Sequence, residues 1–235
     1  MLFIVLKKKD LLLFASLVLA FCAYISLALL PTAVRSFSPQ AVQGRVIVID
    51  AGHGGEDGGA VSPDGVVESG INLAVAQELD AILTFLGEDT SMTRTEDVSI
   101  YSDGAETLHE KKVSDLKNRV ALVNETPGAL LLSIHQNSLP TAKSVRGAQA
   151  FYGRTDGSEP LAQSIQTALN RDINSADKEA KPILESVYLM KNVTAPAVLV
   201  ECGFLSNREE TKLLQQAEYQ KKLAVVIAAG LLNTV

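Results

Sequence analysis

The sequence is poor in cysteine, in basic charge and in nucleotide-binding glycine motifs, and each shortage excludes a class of protein. Its 235 residues contain two cysteines, Cys22 and Cys202. Cys22 falls inside a long apolar run, so the rest of the chain has a single cysteine. Internal disulfides are therefore excluded, and stability has to come from a hydrophobic core. The formal net charge of −6 argues against nucleic acid as a partner.

An uncharged apolar run near the N-terminus predicts export. Three lysines at positions 7–9 precede residues 11–30, a run without charge that is long enough to cross a bilayer as a helix. The lysines favour an N-terminus on the inner side of the membrane, with the remaining chain outside. An uncleaved anchor at residues 1–30 is favoured over a cleaved signal peptide, because no convincing small-x-small cleavage site follows. Residues 31–44 are the expected linker, and residues 45–235 the expected soluble domain.

Three apolar runs lead to side chains that can bind a metal or transfer a proton. The runs precede His53, His135 and Glu201. They lack helical spacing and polar alternation, which indicates strands covered on both faces. His53 is followed by clustered glycines, but there is no GxGxxG spacing and no Gly-Lys-Ser/Thr ending, so a nucleotide cradle is the poorer interpretation. If the three strands are neighbours, their side chains meet at one edge of one sheet, where open α/β sheets bind ligands.

Helical segments alternate with these strands, which predicts an α/β fold with a mostly parallel sheet and helices on both faces. One helix is predicted from Ser69, as N-cap, to Gly87, and another from Ser114 to a point before Pro127. The polar residues 94–113 between them are expected to form a long functional loop. Further helices are predicted around residues 161–169, after a capping box of Ser206 and Glu209, and around residues 219–231, with short strands at 88–93, 149–152 and 187–190.

Two histidines and a carboxylate match a catalytic zinc site, which has three protein ligands and keeps a fourth position for water. Imidazole and carboxylate also suit other divalent metals. Spacing alone leaves the acidic ligand open among Asp50, Glu56, Asp57 and Glu68. Glu68 has the further alternative of favouring the positive end of the helix that follows it.

Two other residues with potentially reactive side chains are expected to have no role in the site. His109, in the polar loop, is expected to be solvated. Cys202, beside Glu201, is expected to be a small buried residue, because no cysteine-protease signature accompanies it.

Motifs distributed along the expected domain resemble the zinc-dependent N-acetylmuramoyl-L-alanine amidases of the amidase type 3 family. Their order matches from Val46 to Leu232, so the resemblance covers essentially the whole exported domain. Ala51, in place of the usual proline, and Ser69-Gly70, in place of Lys-Asp, depart from the pattern without removing a proposed ligand. The motifs are Val-Ile-Asp-Ala-Gly-His-Gly-Gly-Glu-Asp-Gly-Gly-Ala60, Glu68, Met92-Thr-Arg94, Leu116-x-x-Arg119, Ser133-Ile-His-Gln-Asn137 and Leu199-Val-Glu-Cys-Gly-Phe-Leu-Ser-Asn207.

The resemblance implies a six-stranded sheet and a set of roles. His53, Glu68 and His135 would be the zinc ligands, and Glu201 the catalytic carboxylate. The activity implied is hydrolysis of the amide between N-acetylmuramic acid and L-alanine in peptidoglycan. The segment from Val187 to Thr194, with the membrane-type N-terminus, looks closest to the germination-specific amidases of spore-forming bacteria, which prepare the spore cortex for muramic δ-lactam formation by a separate deacetylase.

Several assignments stay open at this level. Asn137, Arg94 and Arg119 are candidates for binding substrate or bracing the site, and ordinary structural roles suit them equally well. A polysaccharide deacetylase or an activator protein is a possible partner. The alternatives from other classes are a membrane-tethered, non-catalytic wall-binding module and a zinc peptidase that cuts within the stem peptide.

Overall fold

The computed structural model describes residues 8–9 and 44–234. The predicted membrane segment and linker therefore lie outside the described residues, except for Lys8, Lys9 and Gly44, and remain predictions. Within the described residues, no helix combines the length and apolar character needed to span a membrane. The strands are β1 (Val46–Ala51), β2 (Thr90–Met92), β3 (Ala129–Asn137), β4 (Gln149–Tyr152), β5 (Lys181–Pro182) and β6 (Ala197–Phe204). The helices are α1 (Glu68–Phe85), α2 (Leu108–Glu125), α3 (Ser158–Asp172), α4 (Tyr188–Asn192), α5 (Arg208–Leu214) and α6 (Ala217–Leu232).

The six strands form one mostly parallel sheet in the order β2-β1-β3-β6-β4-β5. The first four strands are mutually parallel. β4 pairs with β6 in the antiparallel sense, and β5 is parallel to β4. The predicted fold class is confirmed. β5, only two residues long, was not predicted, because Lys181-Pro182 has no apolar pattern to signal a strand.

The two faces of the sheet have different partners. One face carries Ile49, Leu132 and Val200 into the larger hydrophobic cluster, with side chains of α1, α3 and α6. The opposite face carries Val48 and Leu131 into a smaller cluster with α2 and α4. Successive strand residues point to opposite faces. The second face therefore carries every other residue of each strand, and these residues change from apolar to polar towards the carboxyl ends of the strands.

Two predicted helix starts are wrong. Ser69 is buried inside α1, which begins at Glu68 after Val67, and Val67 makes no side-chain cap bond. Gly87 was placed correctly at the end of that helix, where its φ is +89°. α2 begins at Leu108, six residues before Ser114. Thr107 and Glu110 form a reciprocal capping box there, which satisfies the first backbone amides.

Two later predictions are also wrong. Residues 187–190 belong to the start of α4 and not to a strand, because Leu189 and Met190 are buried in a short helix lying against the sheet. The cap of α5 is Asn207, whose side chain accepts from the amides of Glu209 and Glu210. The Ser206 hydroxyl instead accepts from the Leu139 amide at 2.9 Å.

Candidate metal centre

The predicted functional side chains meet at one edge of the sheet. β1, β3 and β6 are adjacent and parallel, so their carboxyl ends lie together. His135 on β3 is the register partner of Glu201 on β6. His53 lies two residues beyond Ala51, the last residue of β1. The hypothesis that the three apolar runs end at a common edge is confirmed.

Glu68, at the start of α1, completes a cluster with the two histidines. The three side chains offer ligand atoms that all lie within 4.8 Å of one another. Oε1 of Glu68 is 3.0 Å from Nδ1 of His135 and 3.5 Å from Nε2 of His53. The imidazole rings meet edge to face, with centroids 5.0 Å apart. This donor set fits zinc or another divalent metal, and the described part of the chain holds no second cluster of this kind.

The Glu68 carboxylate is held by backbone and side-chain donors. Oε2 accepts from the Ala60 amide at 2.7 Å, and Oε1 accepts from the Gln136 amide at 3.0 Å and from Nδ2 of Asn72 at 3.1 Å. Burial alone would raise the pKa of Glu68, but the hydrogen bond to His135, the charges of both imidazoles and the Ala60 amide lower it to about 2. Glu68 is therefore ionised, as a metal ligand must be.

Neighbouring carboxylates also determine the pKa of His135. Burial would lower its pKa, but the hydrogen bond to Glu68 and the charges of Glu201, Glu68 and Asp50 raise it. A metal that binds at His135 has to displace this proton, so metal affinity should fall as the pH is lowered.

Asp50, the first of the open candidates for the acidic ligand, is committed to a buried ion pair. Its Oδ1 accepts from Nη1 of Arg119 at 2.6 Å and from the Thr93 hydroxyl at 2.9 Å, and its Oδ2 accepts from the Ser133 hydroxyl at 2.6 Å. Burial raises the pKa of Asp50, yet Arg119, His135 and Ser133 together lower it to about 2. Asp50 is thus a structural anion below the site.

Glu56 and Asp57 lie on the glycine-rich loop and face α2. Glu56 accepts from Nζ of Lys111 at 2.6 Å. Asp57 approaches Nζ of Lys112 at 3.2 Å, and its Oδ2 lies 3.0 Å from Nδ1 of His53. Neither carboxylate joins the cluster of converging ligand atoms. Among the four acids left open by spacing, only Glu68 occupies the ligand position.

Two glycines are required by the close packing around the ligands. A Cβ on Gly52 would lie 2.3 Å from the His135 ring, and a Cβ on Gly59 would lie 2.5 Å from Oε2 of Glu68 and 2.7 Å from the His53 ring. His53 itself has a φ of +61° and is the only non-glycine residue with positive φ in the described chain. Such backbone strain is typical of functional positions and has to be held by the surroundings.

Arg94 and Arg119 provide that support. Nε of Arg94 donates to the Ala51 carbonyl at 2.8 Å, and its Nη2 donates to the Gly52 carbonyl at 3.0 Å. Arg119 donates to the carbonyls of Ala51 and His53, each at 2.8 Å. Both arginine residues are at most 3% exposed. Their guanidinium groups therefore hold the backbone that carries His53.

Glu201 is the candidate catalytic carboxyl, and one of its two oxygens lacks a hydrogen-bond partner among the described residues. Its Oε2 is inaccessible to solvent and has no hydrogen-bond partner among the described residues. Burial raises the pKa of Glu201 to about 7; the charge of His135 opposes this rise and that of Glu68 adds to it. A carboxyl with a pKa near neutrality, beside a candidate metal cluster, is suited to accept and return a proton.

A cleft of about 270 Å³ opens over the cluster. Its floor is the polar end of the second sheet face, and its two walls are α2 and α4. Leu116 and Leu189 make these walls partly apolar, and Lys112 and Tyr188 lie at the rim. The lining residues are Asp50, Gly52, His53, Asp57, Lys112, Asp115, Leu116, Arg119, Ser133, His135, Val187, Tyr188, Leu189, Leu199 and Glu201.

The other candidates lie outside this cleft. Asn137 ends β3 two residues beyond His135 and does not line the cleft. His109 is exposed in the first turn of α2. Cys202 is fully buried, and burial raises the pKa of its thiol, so it is an inert core residue as expected.

The sequence patterns did not predict the hydrogen-bond partners of the proposed ligands. Asn72 lies one helical turn after Glu68 and joins it to the Gly52 carbonyl, to which its Nδ2 donates at 3.1 Å. Asp57 lies four residues after His53 and contacts the nitrogen of that ring that faces away from Glu68. A side-chain amide or carboxylate four residues after a proposed ligand is the sequence pattern that predicts both Asn72 and Asp57 as partners.

Comparisons with known proteins identify the family of the chain. The family model described as N-acetylmuramoyl-L-alanine amidase (Amidase_3) matches residues 47–233. The chain is 40% identical over 193 residues to the germination-specific N-acetylmuramoyl-L-alanine amidase of Bacillus subtilis, covering 82% of this chain and 80% of that protein. The CwlD amidase of Clostridioides difficile, solved in complex with the GerS lipoprotein, superposes with a TM-score of 0.76 at 36% identity, over 81% of this chain and 98% of that one. An N-acetylmuramoyl-L-alanine amidase of Clostridium difficile 630 superposes with a TM-score of 0.70 at 29% identity, over 81% and 96%. The chain belongs to the N-acetylmuramoyl-L-alanine amidase family and is a peptidoglycan-hydrolysing enzyme.

Proposed function

We propose that this amidase uses zinc, held by His53, Glu68 and His135, and that Glu201 is its proton-transfer group. The observation that carries the proposal is that His53 and His135, two members of the three-ligand cluster, line one cleft with Glu201, a half-buried residue whose Oε2 has no hydrogen-bond partner among the described residues. The reaction is hydrolysis of the amide that joins the lactyl group of N-acetylmuramic acid to L-alanine.

The residues of the chain have distinct tasks in this scheme. Zinc, when bound, supplies Lewis acidity and lowers the pKa of a water molecule towards neutrality. Glu201 takes a proton from the attacking water and later returns one to the departing alanine nitrogen. Burial raises its pKa to about 7 in the metal-free protein, well above that of an ordinary glutamate, and a raised pKa favours a carboxyl that has to return a proton as well as accept one. The low pKa of Glu68 keeps that ligand ionised throughout.

Arg94 and Arg119 act as site support in this proposal and not as substrate contacts. Each guanidinium already donates to carbonyls of residues 51–53. Asn137, at the end of β3 and outside the lining of the cleft, stays a candidate for substrate binding or for support of the site. The apolar and aromatic walls formed by α2 and α4 provide the surface along which the glycan and the stem peptide would lie.

The substrate and setting are proposed from the named relatives. A germination-specific relative favours spore-cortex peptidoglycan as the substrate, with muramic δ-lactam formation as the later step. The catalytic domain can reach this substrate only if it lies outside the cytoplasm. It would be either anchored by residues 1–30 or secreted after their cleavage. A relative solved with a lipoprotein favours an activator protein as a partner of this chain, with a deacetylase acting alongside.

Mass analysis of digested cortex peptidoglycan tests the activity. The amidase should release stem peptides with free L-alanine amino termini and leave the glycan intact. Cleavage elsewhere in the stem would identify a peptidase, and binding without cleavage would identify a wall-binding module.

Two variants test the roles of the residues. H53A should lose zinc, measured by metal analysis of the purified protein, and with it activity. E201Q should retain zinc and lose turnover, because the amide cannot accept the proton from the attacking water. A fully active E201Q protein would overturn the assignment of Glu201.

A further inference from the structure

The glycine-rich loop after β1 makes a tight turn that brings Asp57 back beside His53. The Gly54 amide donates to the Asp57 carbonyl at 2.8 Å, and the Asp57 amide donates to the Gly54 carbonyl at 3.1 Å. Gly54 and Gly55 have φ values of +139° and +56°, which glycine adopts without the penalty of a Cβ. The turn therefore fixes the position of the Asp57 carboxylate relative to the loop.

That carboxylate contacts one nitrogen of His53 and leaves the other to the metal cluster. Oδ2 of Asp57 is 3.0 Å from Nδ1, whereas Nε2 faces Glu68 at 3.5 Å. An ionised carboxylate only accepts hydrogen bonds, so this contact requires the proton of the neutral imidazole to be on Nδ1. The lone pair that can bind a metal is then on Nε2.

His53 needs this external support more than His135 does. His135 lies within β3, where the strand ladder fixes its backbone. His53 lies on a loop with a left-handed backbone, and Arg119 holds its carbonyl but not its ring. The contact with Asp57 is the one hydrogen bond that the His53 ring makes to a residue outside the cluster in the described structure.

We propose that Asp57 is a positioning residue, which fixes the tautomer and orientation of His53 so that Nε2 is the donor atom for the metal. The inference rests on the proposed metal site. Carboxylates that hold the second nitrogen of a metal-bound histidine orient the ring and increase its basicity. Lys112, 3.2 Å from the same carboxylate, ties this support to α2, one wall of the cleft.

Glu56 provides a matched control on the same loop. Both acids pair with lysines of α2, Glu56 with Lys111 and Asp57 with Lys112. Only Asp57 reaches a proposed ligand. Variants at the two positions therefore remove equivalent charges and equivalent contacts to α2, and differ in the bond to His53.

The first test measures zinc affinity of the full-length protein by competition with a chelator. D57A should weaken zinc binding about 10- to 100-fold, the usual cost of removing such a partner. D57N keeps an acceptor oxygen but loses the charge, so its loss should be smaller. E56A and E56Q should bind zinc as the wild type does.

The second test observes the tautomer directly, through the imidazole nitrogen NMR signals of zinc-loaded protein labelled with ¹⁵N-histidine. Wild type and E56Q should show His53 protonated at Nδ1, and D57A should lose or shift that signal. If D57A fails to fold, the zinc affinity of D57N decides the question, because that affinity should still fall with the loss of the charge that increases the basicity of His53.

Unchanged zinc affinity and an unchanged His53 signal in the Asp57 variants would overturn the inference and leave the proposed function standing. Failure of the wild type itself to bind zinc would instead refute the proposed function.

Discussion

The half-buried Glu201 carboxyl should make the metal-free protein lose stability as the pH rises from the ordinary pKa of a glutamate to neutrality. Its Oε2 has no partner among the described residues, and burial raises its pKa to about 7 from an ordinary value of 4.5. A carboxyl whose pKa is raised on folding prefers to be protonated in the folded state. Its contribution to stability is therefore fully present below the unfolded pKa, and is lost as the pH rises through the folded one.

The size of the effect follows from the shift. A difference of roughly 2.5 pKa units corresponds to about 3.5 kcal/mol at most, since each unit is worth about 1.4 kcal/mol. Between pH 5 and pH 8, the wild type should lose about 2 to 3 kcal/mol of unfolding free energy through this group. The E201Q protein cannot ionise at this position. Over the same pH range its unfolding free energy should therefore fall by about 2 to 3 kcal/mol less than that of the wild type.

Urea unfolding of the two metal-free proteins at pH 5 and pH 8 measures the difference. Other titrating groups are common to both proteins and largely cancel in the comparison. E209Q, at an exposed position paired with Lys212, is the control, and should follow the wild type. Equal pH dependence in wild type and E201Q would show that Glu201 is not held at a raised pKa. Added zinc should reduce the difference in pH dependence between wild type and E201Q, because a nearby cation favours the ionised carboxylate.

Three further substitutions test separate parts of the structure. G59A should abolish zinc binding, measured by metal analysis, because its Cβ would lie 2.5 Å from Oε2 of Glu68 on a backbone with positive φ; a metal-loaded G59A protein would contradict this packing. R119M should lower the free energy of unfolding in urea by about 3 to 5 kcal/mol, since it leaves the buried Asp50 carboxylate unpaired; a loss below 1 kcal/mol would show that water or another group replaces the guanidinium. T107A should cost about 1 kcal/mol in the same assay, through loss of the helix cap, and leave kcat/KM unchanged.

The sequence was sufficient to predict the strand that leads to His53 and the strands that carry His135 and Glu201, because each is a short continuous apolar run rich in β-branched residues or leucine. It could not supply sheet order, which depends on long-range pairing. Glu68 shows the same limit. Its spacing did not distinguish it from the neighbouring acids, and only the resemblance to a family selected it, since its partner His135 lies 67 residues away.

Local signals were also overlooked where the composition was polar. Thr107 and Glu110 have the spacing of a capping box, but the segment around them lacks apolar periodicity, so the start of α2 was placed at Ser114. The roles of Arg94 and Arg119 were open for a different reason. An arginine looks the same in the sequence whether its guanidinium is buried or binds substrate. Only the distances from the guanidinium to the backbone carbonyls near His53 distinguish the two roles.

The pairing of His135 with Glu201 makes metal binding and bond cleavage separable. The proposed ligands come from the loop after β1, from α1 and from β3, whereas the proposed proton-transfer group comes from β6, the last strand in the chain. A slip of β6 by one residue would turn Glu201 to the face where Val200 and Cys202 now pack. The three proposed ligands belong to other elements, and His135 is the register partner of Glu201. The register of one strand therefore decides whether the proposed proton-transfer group faces the proposed ligands.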